Sequence, residues 1–238
     1  MDNGPNVETE AVVDACDDAR LSYVPASANL GECGGRNRAL QLSTGSFVCY
    51  LDDDDLLPRS SLRERVAFLE AHPECGMIYA EYVRLDQVEG RWRRHREQRG
   101  VAPYLCKKYY DGILRRVDYD PRLTFYFLKH FNFVRGGTPL IRREALDEAG
   151  GFDDELGLFG DYDLWLRLAS RHPIRFLDAV AYIYRVHPES VSLSMEGSEE
   201  ARRSAMRVCR KHGIQSNVHF ERYRPDRSAQ NLDTRRFI

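Results

Sequence analysis

Five apolar or aromatic positions run without a polar interruption through residues 47–51, FVCYL, as in a strand covered on both faces. The period then changes. Leu62, Val66 and Leu69 recur at i, i+4 and i+7, which predicts a helix closed by His72 and Pro73. The strand pattern resumes at Met77 in MIYAEYVRLD, so strand, helix and strand predict a parallel crossover unit. Upstream, TEAVVDACDDA predicts a short helix, residues 21–24 a strand, and GGRNRALQLSTG a further helix closed by Gly45. Downstream, residues 138–141 read as a short strand and residues 143–149 as a helix ended by Gly150 and Gly151. Residues 161–170 read as a helix with Leu164, Trp165 and Leu168 on one stripe, and IRFLDAVAYIYRVH as a final strand. This alternation is that of an α/β layered domain.

Between residues 87 and 135 the pattern loosens. GRWRRHREQRG is dense in arginine and reads first as a solvated loop, and otherwise as an attractor for an anionic acceptor or membrane surface. YLCKKYYDGIL and LTFYFLKHFNF are rich in aromatics that either line an acceptor pocket or fill core. Gly136, Gly137 and Thr138 mark a close backbone approach. The tail from Arg222 is polar and expected to be loosely held.

With 238 residues, 42% hydrophobic and 30% charged, the chain can build one sizeable core. A net charge of −2, from 35 basic and 37 acidic side chains, gives no global attraction to nucleic acid or to an anionic bilayer, so charge must act locally. Cys16, Cys33, Cys49, Cys75, Cys106 and Cys209 form no CxxC pair and no zinc-spaced cluster, which fits reduced thiols in a cytoplasmic compartment. No apolar run approaches the ~18 to 20 residues that span a bilayer. The start, MDNGPNVETE, is unlike a secretory signal.

The local charge that stands out is Asp52, Asp53, Asp54 and Asp55 directly behind the first apolar run. In an open parallel sheet, ligands sit outside the carboxyl ends of strands, where these acids emerge. Their mutual repulsion calls for something positive. A hard divalent cation would serve, because Mg²⁺ takes one or two carboxylates together with waters and a substrate's phosphates. Asp52 and Asp54 are spaced to approach one ion. The plainer alternative is acids placed at a helix N-terminus, which would suffice for Asp55.

The order DNG, GGRNRAL, FVCYLDDDDLLPRSSL, GGFDDEL, GDYDLWLRL and YRVH resembles the family 2 glycosyltransferases of GT-A fold, over the first 190 residues or so. The resemblance implies a GT-A-like, Rossmann-type, mainly parallel sheet flanked by helices. It also implies a nucleotide-sugar donor, Mg²⁺ or Mn²⁺ as cofactor, and transfer with inversion. Asp52 and Asp54 then match the outer members of the DxD motif as metal ligands. Asp53 is placed to contact the donor ribose or the ion, and Asp52 faces both roles. Arg36 matches the arginine near the nucleotide. Asp2 and Asn3 fall on the element that holds the nucleoside, where an asparagine stands for a usual acid. GDYDLWLRL matches the motif whose aspartate is the catalytic base, which is Asp161, with Gly160 standing for the usual glutamate. The plainer roles for Asp161 and Asp163 are a helix N-cap and a first-turn acid. His187 matches a position close to the diphosphate or metal, as a further ligand.

Family members begin with a strand and helix ahead of the element that Asp2 and Asn3 match, so the resemblance implies an N-terminally truncated form. The expected organisation is residues 1–190 as a GT-A-like domain, with 1–86 its nucleotide-binding half and 87–190 its acceptor-binding half, and 191–238 a helical or irregular tail. The expected activity moves a sugar from a UDP- or dTDP-linked donor to a hydroxyl of a saccharide, a lipid-linked sugar or a small molecule. Nucleic acid is not an expected partner, while peripheral membrane contact and a homo-oligomer are left open. The alternative is a catalytically impaired nucleotide-binding or scaffolding relative. A nucleotidyltransferase would need a basic, glycine-rich phosphate loop near its start, which this sequence lacks.

Overall fold

The computed structural model describes residues 1–4, 7–87, 90–94, 121–130, 132–191, 195 and 198–215. The arginine run beyond Arg94, the YLCKKYYDGIL segment and the tail from Arg222 lie outside the described residues. In chain order the elements are α1 (Val7–Asp14), α2 (Gly31–Leu42), β1 (Phe47–Val48), α3 (Ser61–Ala71), β2 (Met77–Asp86) and β3 (Arg91–Arg94). They continue with α4 (Pro121–His130), β4 (Leu140–Arg142), α5 (Arg143–Ala149), α6 (Gly160–Ala169), β5 (Ile174–Val186) and α7 (Glu199–His212).

One five-stranded sheet organises the described residues. Its centre is β2, which pairs in parallel with β5 along its whole length. On the other side it pairs antiparallel with β4 at Met77 and Ile78, and with β3 at residues 83–86. Because β4 also runs antiparallel to β1, β1 and β2 are parallel to each other, joined through α3 as the crossover pattern requires. The insertion of β4 between them was not visible in the pattern.

Three local expectations change. β1 covers only Phe47 and Val48, and Leu51 is 49% exposed, because β1 is an edge strand held by β4 alone. Residues 21–24 form no strand; a single parallel bridge joins Asp2 to Pro25. In α3 the buried positions are Ser61, Arg65 and Leu69, while Leu62 is 48% exposed. Polar side chains take the inner face because unpaired carbonyls wait there. Arg65 donates to the carbonyls of Gly137, Thr138 and Pro139, and Ser61 to that of Ala181.

The main core lies between the sheet and α6. Leu164, Trp165 and Leu168 pack with Met77, Tyr79 and Ile141, and with Leu128 and Phe133 from the aromatic segment. Those two residues are therefore core, whereas Tyr126 is exposed. α5 ends as expected, with Gly150 at φ +84°, a left-handed position that favours glycine. Ser198 caps α7, accepting a hydrogen bond from the backbone N–H of Ala201 at 3.0 Å, and Ala201, Ala205 and Val208 join the main core. Among the described residues no helix is long and apolar enough to cross a membrane.

Candidate active site

The acidic turn behind β1 is fastened to β5. The N–H of Asp55 donates to the carbonyl of Asp52 at 3.1 Å, and Leu56 and Ile183 exchange backbone hydrogen bonds at 3.1 and 2.9 Å. Asp55 is only 5% exposed; it accepts from the Tyr182 hydroxyl and, at 2.7 Å, from the backbone N–H of Arg185. Burial pushes its pKa up against those two hydrogen bonds, and the neighbouring charges of Asp54 and Asp52 add to the rise. Asp55 is thus the anchor of the turn. Its three neighbours remain accessible, Asp53 exposed and Asp52 and Asp54 half-buried. The guanidinium of Arg185 holds the carbonyl of Asp54, and His187 Nε2 lies 3.0 Å from Asp54 Oδ2.

Arg36 reaches the same turn from α2. Its Nη2 meets Asp52 Oδ1 at 2.5 Å, its Nη1 meets Glu32 Oε1 at 2.5 Å, and its guanidinium stands 5.5 Å from the centre of the Phe152 ring. Burial works against its charge, but Glu32, Asp52 and Asp161 outweigh that cost and raise its pKa. The next residue, Asn37, went unnoticed in the sequence. It donates to the carbonyl of Phe152 at 2.9 Å and to Asp154 at 2.8 Å, and accepts the Phe152 N–H at 2.8 Å. Its position directly behind Arg36 in GGRN was the available signal.

Asp161 lies in the first turn of α6, where its Oδ1 accepts the N–H of Tyr162 at 2.6 Å. It does not cap the helix; Phe159 holds that position. A Cβ on Gly136 would stand 3.3 Å from Asp161 Oδ2, and one on Gly137 1.8 Å from the Tyr182 ring, so this loop does approach closely. Burial raises the pKa of Asp161, with Asp52 adding to the rise, while Arg36, the Tyr162 N–H and Arg135 pull it down. Arg135 was also missed. Its guanidinium lies 3.6 Å from the centre of the Tyr184 ring, and the charge of Asp161 helps raise its pKa against burial.

Asp163, two positions on, serves the fold. Fully buried, it meets Arg167 at 2.8 Å, Lys211 at 3.0 Å and His212 at 2.7 Å. Despite burial, the hydrogen bond from His212 and the charges of Arg167 and Lys211 lower its pKa to about 2. At Gly160 a Cβ would meet Cys33 Sγ at 2.2 Å, so the cysteine sulfur occupies the start of the path a glutamate would need.

Asp2 and Asn3 join the N-terminal segment to the loop entering α2. Asp2 accepts from the Tyr23 hydroxyl at 2.8 Å and the Gly4 N–H at 3.0 Å. Asn3 bridges the Leu30 N–H and the Gly31 carbonyl at 2.9 and 2.8 Å. Asp52, Asp54, Arg36, Asp161 and His187 are therefore gathered around one turn, while Asp2 and Asn3 reach it through α2. A groove of about 380 Å³ lies elsewhere, between residues 155–158 and Arg203, Ser204 and Arg207 of α7.

The carboxylate oxygens of Asp52 and Asp54 are of the kind that suits Mg²⁺ or Mn²⁺, whereas the imidazole of His187 is not a typical Mg²⁺ ligand. Among the described residues no cluster of three or more His, Cys, Asp or Glu side chains could hold an ion unaided. The remaining ligands would be water and phosphate oxygens, as Mg²⁺ commonly keeps.

A single mixed sheet flanked by helices is the fold shared with the GT-A glycosyltransferases. S. aureus TarS superposes with a TM-score of 0.61 at 17% identity, over 93% of this chain and 57% of that one. A mannosyltransferase from Pyrobaculum calidifontis, in complex with GDP-Man and Mn²⁺, gives 0.58 at 18% identity, over 93% and 58%. The Glycosyl transferase family 2 profile matches residues 1–150, and the chain belongs to that family. Its relatives include the amylovoran biosynthesis glycosyltransferase AmsB of Erwinia amylovora, 26% identical over 62% of this chain and 44% of AmsB. A second is the UDP-Glc:alpha-D-GlcNAc-diphosphoundecaprenol beta-1,3-glucosyltransferase WfaP of Escherichia coli, 23% identical over 80% and 66%. A third, the Sinorhizobium fredii protein y4gI, is 25% identical over 83% of this chain but only 20% of its own length. The chain thus spans between a fifth and two thirds of these three relatives.

Proposed function

We propose that this chain carries an inverting, metal-dependent glycosyltransferase site that moves a sugar from a UDP- or dTDP-linked donor to an acceptor hydroxyl. The observation that carries the reading is the convergence on Arg36. That cation pairs with Asp52 of the acidic turn, 16 positions on, and its charge also acts on Asp161, far along the chain. A donor-binding rim and a candidate base therefore share one electrostatic field.

In this reading Asp161 takes the proton of the acceptor hydroxyl as the new bond forms. Burial, which raises its basicity above that of an ordinary aspartate, suits it to the task. Arg36 and Arg135 oppose that rise and favour its ionised form. Asp53, exposed on the turn, and Asp2 and Asn3 face the nucleoside and ribose. Asp52 and Asp54, with His187 beside Asp54, would hold Mg²⁺ or Mn²⁺. When bound, that ion supplies positive charge to the departing nucleoside diphosphate. Residues 1–86 form the donor half and 87–190 the acceptor half, with residues 191–238 appended. The name of WfaP, with UDP-Glc as donor and a diphosphoundecaprenol-linked acceptor, supports a UDP donor and a lipid-linked acceptor here; the reading places the reaction in the cytoplasm, at a membrane surface where the acceptor is lipid-linked.

The test is direct. Purified protein with Mn²⁺ should bind UDP by calorimetry and hydrolyse one of a panel of UDP- and dTDP-sugars, with the released or transferred sugar inverted at its anomeric carbon by NMR. Neither binding nor hydrolysis would leave a scaffolding relative of the fold. Retention of configuration would overturn the single-displacement role of Asp161.

A further inference from the structure

Arg36 bridges two acids, Glu32 on its own helix and Asp52 on the acidic turn, each at 2.5 Å. The arginine side chain is 14% exposed, whereas those of Glu32 and Asp52 are 41% and 43% exposed. A largely buried cation is thus neutralised by two wet carboxylates. The helix around it is clamped. Cys33 Sγ fills the space beside Gly160 and donates to the Gly157 carbonyl at 3.4 Å, and Asn37 binds both backbone groups of Phe152. With α2 held on both sides of Arg36, any exchange of partners falls to its side chain rather than to the helix.

We propose that Glu32 is a positioning residue. It receives Arg36 when Asp52 turns to a divalent ion and a nucleoside diphosphate, and so sets the affinity of the site for them. This inference rests on the function proposed above. Asp52 cannot give full strength to a guanidinium and to a metal ion together. An arginine released from Asp52 with no other acid in reach would be left largely buried, unpaired and beside a second positive charge, which is costly. Glu32 stands one helical turn before Arg36 and already shares it, so the exchange needs no backbone movement. Without Glu32, Arg36 keeps Asp52 as its one hydrogen-bonded acid among the described residues, with Asp161 acting only through space, and competes with the ion.

The measurement is Mn²⁺ binding, read from the electron paramagnetic resonance of free Mn²⁺ with and without UDP, for wild type, Glu32→Gln, Glu32→Asp, Arg36→Met and Glu32→Gln combined with Arg36→Met. Glu32→Gln should weaken Mn²⁺ binding in the presence of UDP by about 10-fold, the lower end for an outer partner of a metal site. Glu32→Asp should restore most of it, and the glutamine effect should vanish in the Arg36→Met background. Unchanged binding in Glu32→Gln, or an equal loss in both backgrounds, overturns the proposal. A wild-type chain that binds no Mn²⁺ with UDP overturns the proposed function itself and this role with it.

Discussion

Nε2 of His187 lies 3.0 Å from Oδ2 of Asp54, across 133 positions of sequence. Two residues before the histidine, the Arg185 guanidinium holds the Asp54 carbonyl, and its backbone N–H holds Asp55. The end of β5 therefore shapes the acidic turn. Asp54→Ala should abolish Mn²⁺-dependent UDP binding, because it would remove a proposed metal ligand. His187→Ala should weaken that binding by about 10- to 100-fold, whether the imidazole ligates or only orients Asp54. Calorimetry with UDP and Mn²⁺ checks both; wild-type affinity in His187→Ala would remove the histidine from the site.

Asp161→Asn should lower transfer by about 10²- to 10⁴-fold, the usual share of a general base, while UDP binding with Mn²⁺ stays within a few-fold of wild type. The raised pKa of Asp161 also fixes signs. In the proposed role the ionised form is the active one, so the rate should fall on acidification at a pH above the ordinary aspartate range, ~3.9. For stability, the folded chain holds this proton more tightly than the unfolded chain, so stability declines as pH rises through the folded pKa. Above the folded pKa the buried charge is thus a burden, and there Asp161→Asn should raise the melting temperature while it lowers transfer. A lowered melting temperature would contradict that account.

The parts of the fold that rest on short-range chemistry were legible. The left-handed Gly150 after α5, the apolar stripe of α6 and the like-charged turn announce themselves within a few residues. What escaped depends on partners far along the chain. Arg65 is buried in α3 because the carbonyls of residues 137–139 need donors, and Asn37 matters because Phe152 and Asp154 lie beside it. β1 looked like a covered strand because its apolar run is continuous, yet its pairing is decided by β4. At the site, the acidic run pointed to Asp52–Asp55 and the family resemblance to Asp161, whereas Glu32 and Arg135 become visible only where charges from different elements meet.

Gly137→Ala should act on the turn from behind. The new methyl would enter the Tyr182 ring, whose hydroxyl holds Asp55. Overpacking of this kind costs about 1 to 3 kcal/mol, and UDP affinity with Mn²⁺ should fall as well. Gly136→Ala meets only Asp161 Oδ2, at 3.3 Å, and should leave stability nearly unchanged. Urea midpoints of the two variants, measured side by side, separate the effects.

Asp163 should prove structural. Its carboxylate gathers Arg167, Lys211 and His212, so Asp163→Asn would loosen α7 from α6 at a cost of about 3 kcal/mol, as when one partner of a buried ion pair is removed. Its folded pKa, about 2, lies below the unfolded one. This contribution is therefore present above the ordinary aspartate pKa and lost as pH falls toward 2. Denaturant titrations at neutral and acidic pH should show the wild type losing its advantage over Asp163→Asn in that window.

Gly160 and Cys33 should behave as one unit. Gly160 has ordinary helical angles, φ −64° and ψ −33°, so alanine there would by itself favour the helix by up to about 1 kcal/mol. The sulfur of Cys33 stands 2.2 Å from where that methyl would be placed, while its Cβ stands 3.8 Å away. In the natural background Gly160→Ala should therefore destabilise. In the Cys33→Ala background, where only the distant Cβ remains, the same change should become neutral or stabilising. Denaturation free energies of the four proteins form a double-mutant cycle, and a coupling of at least about 1 kcal/mol is the expected result for groups in such contact. Additive effects would mean that the sulfur does not guard this position.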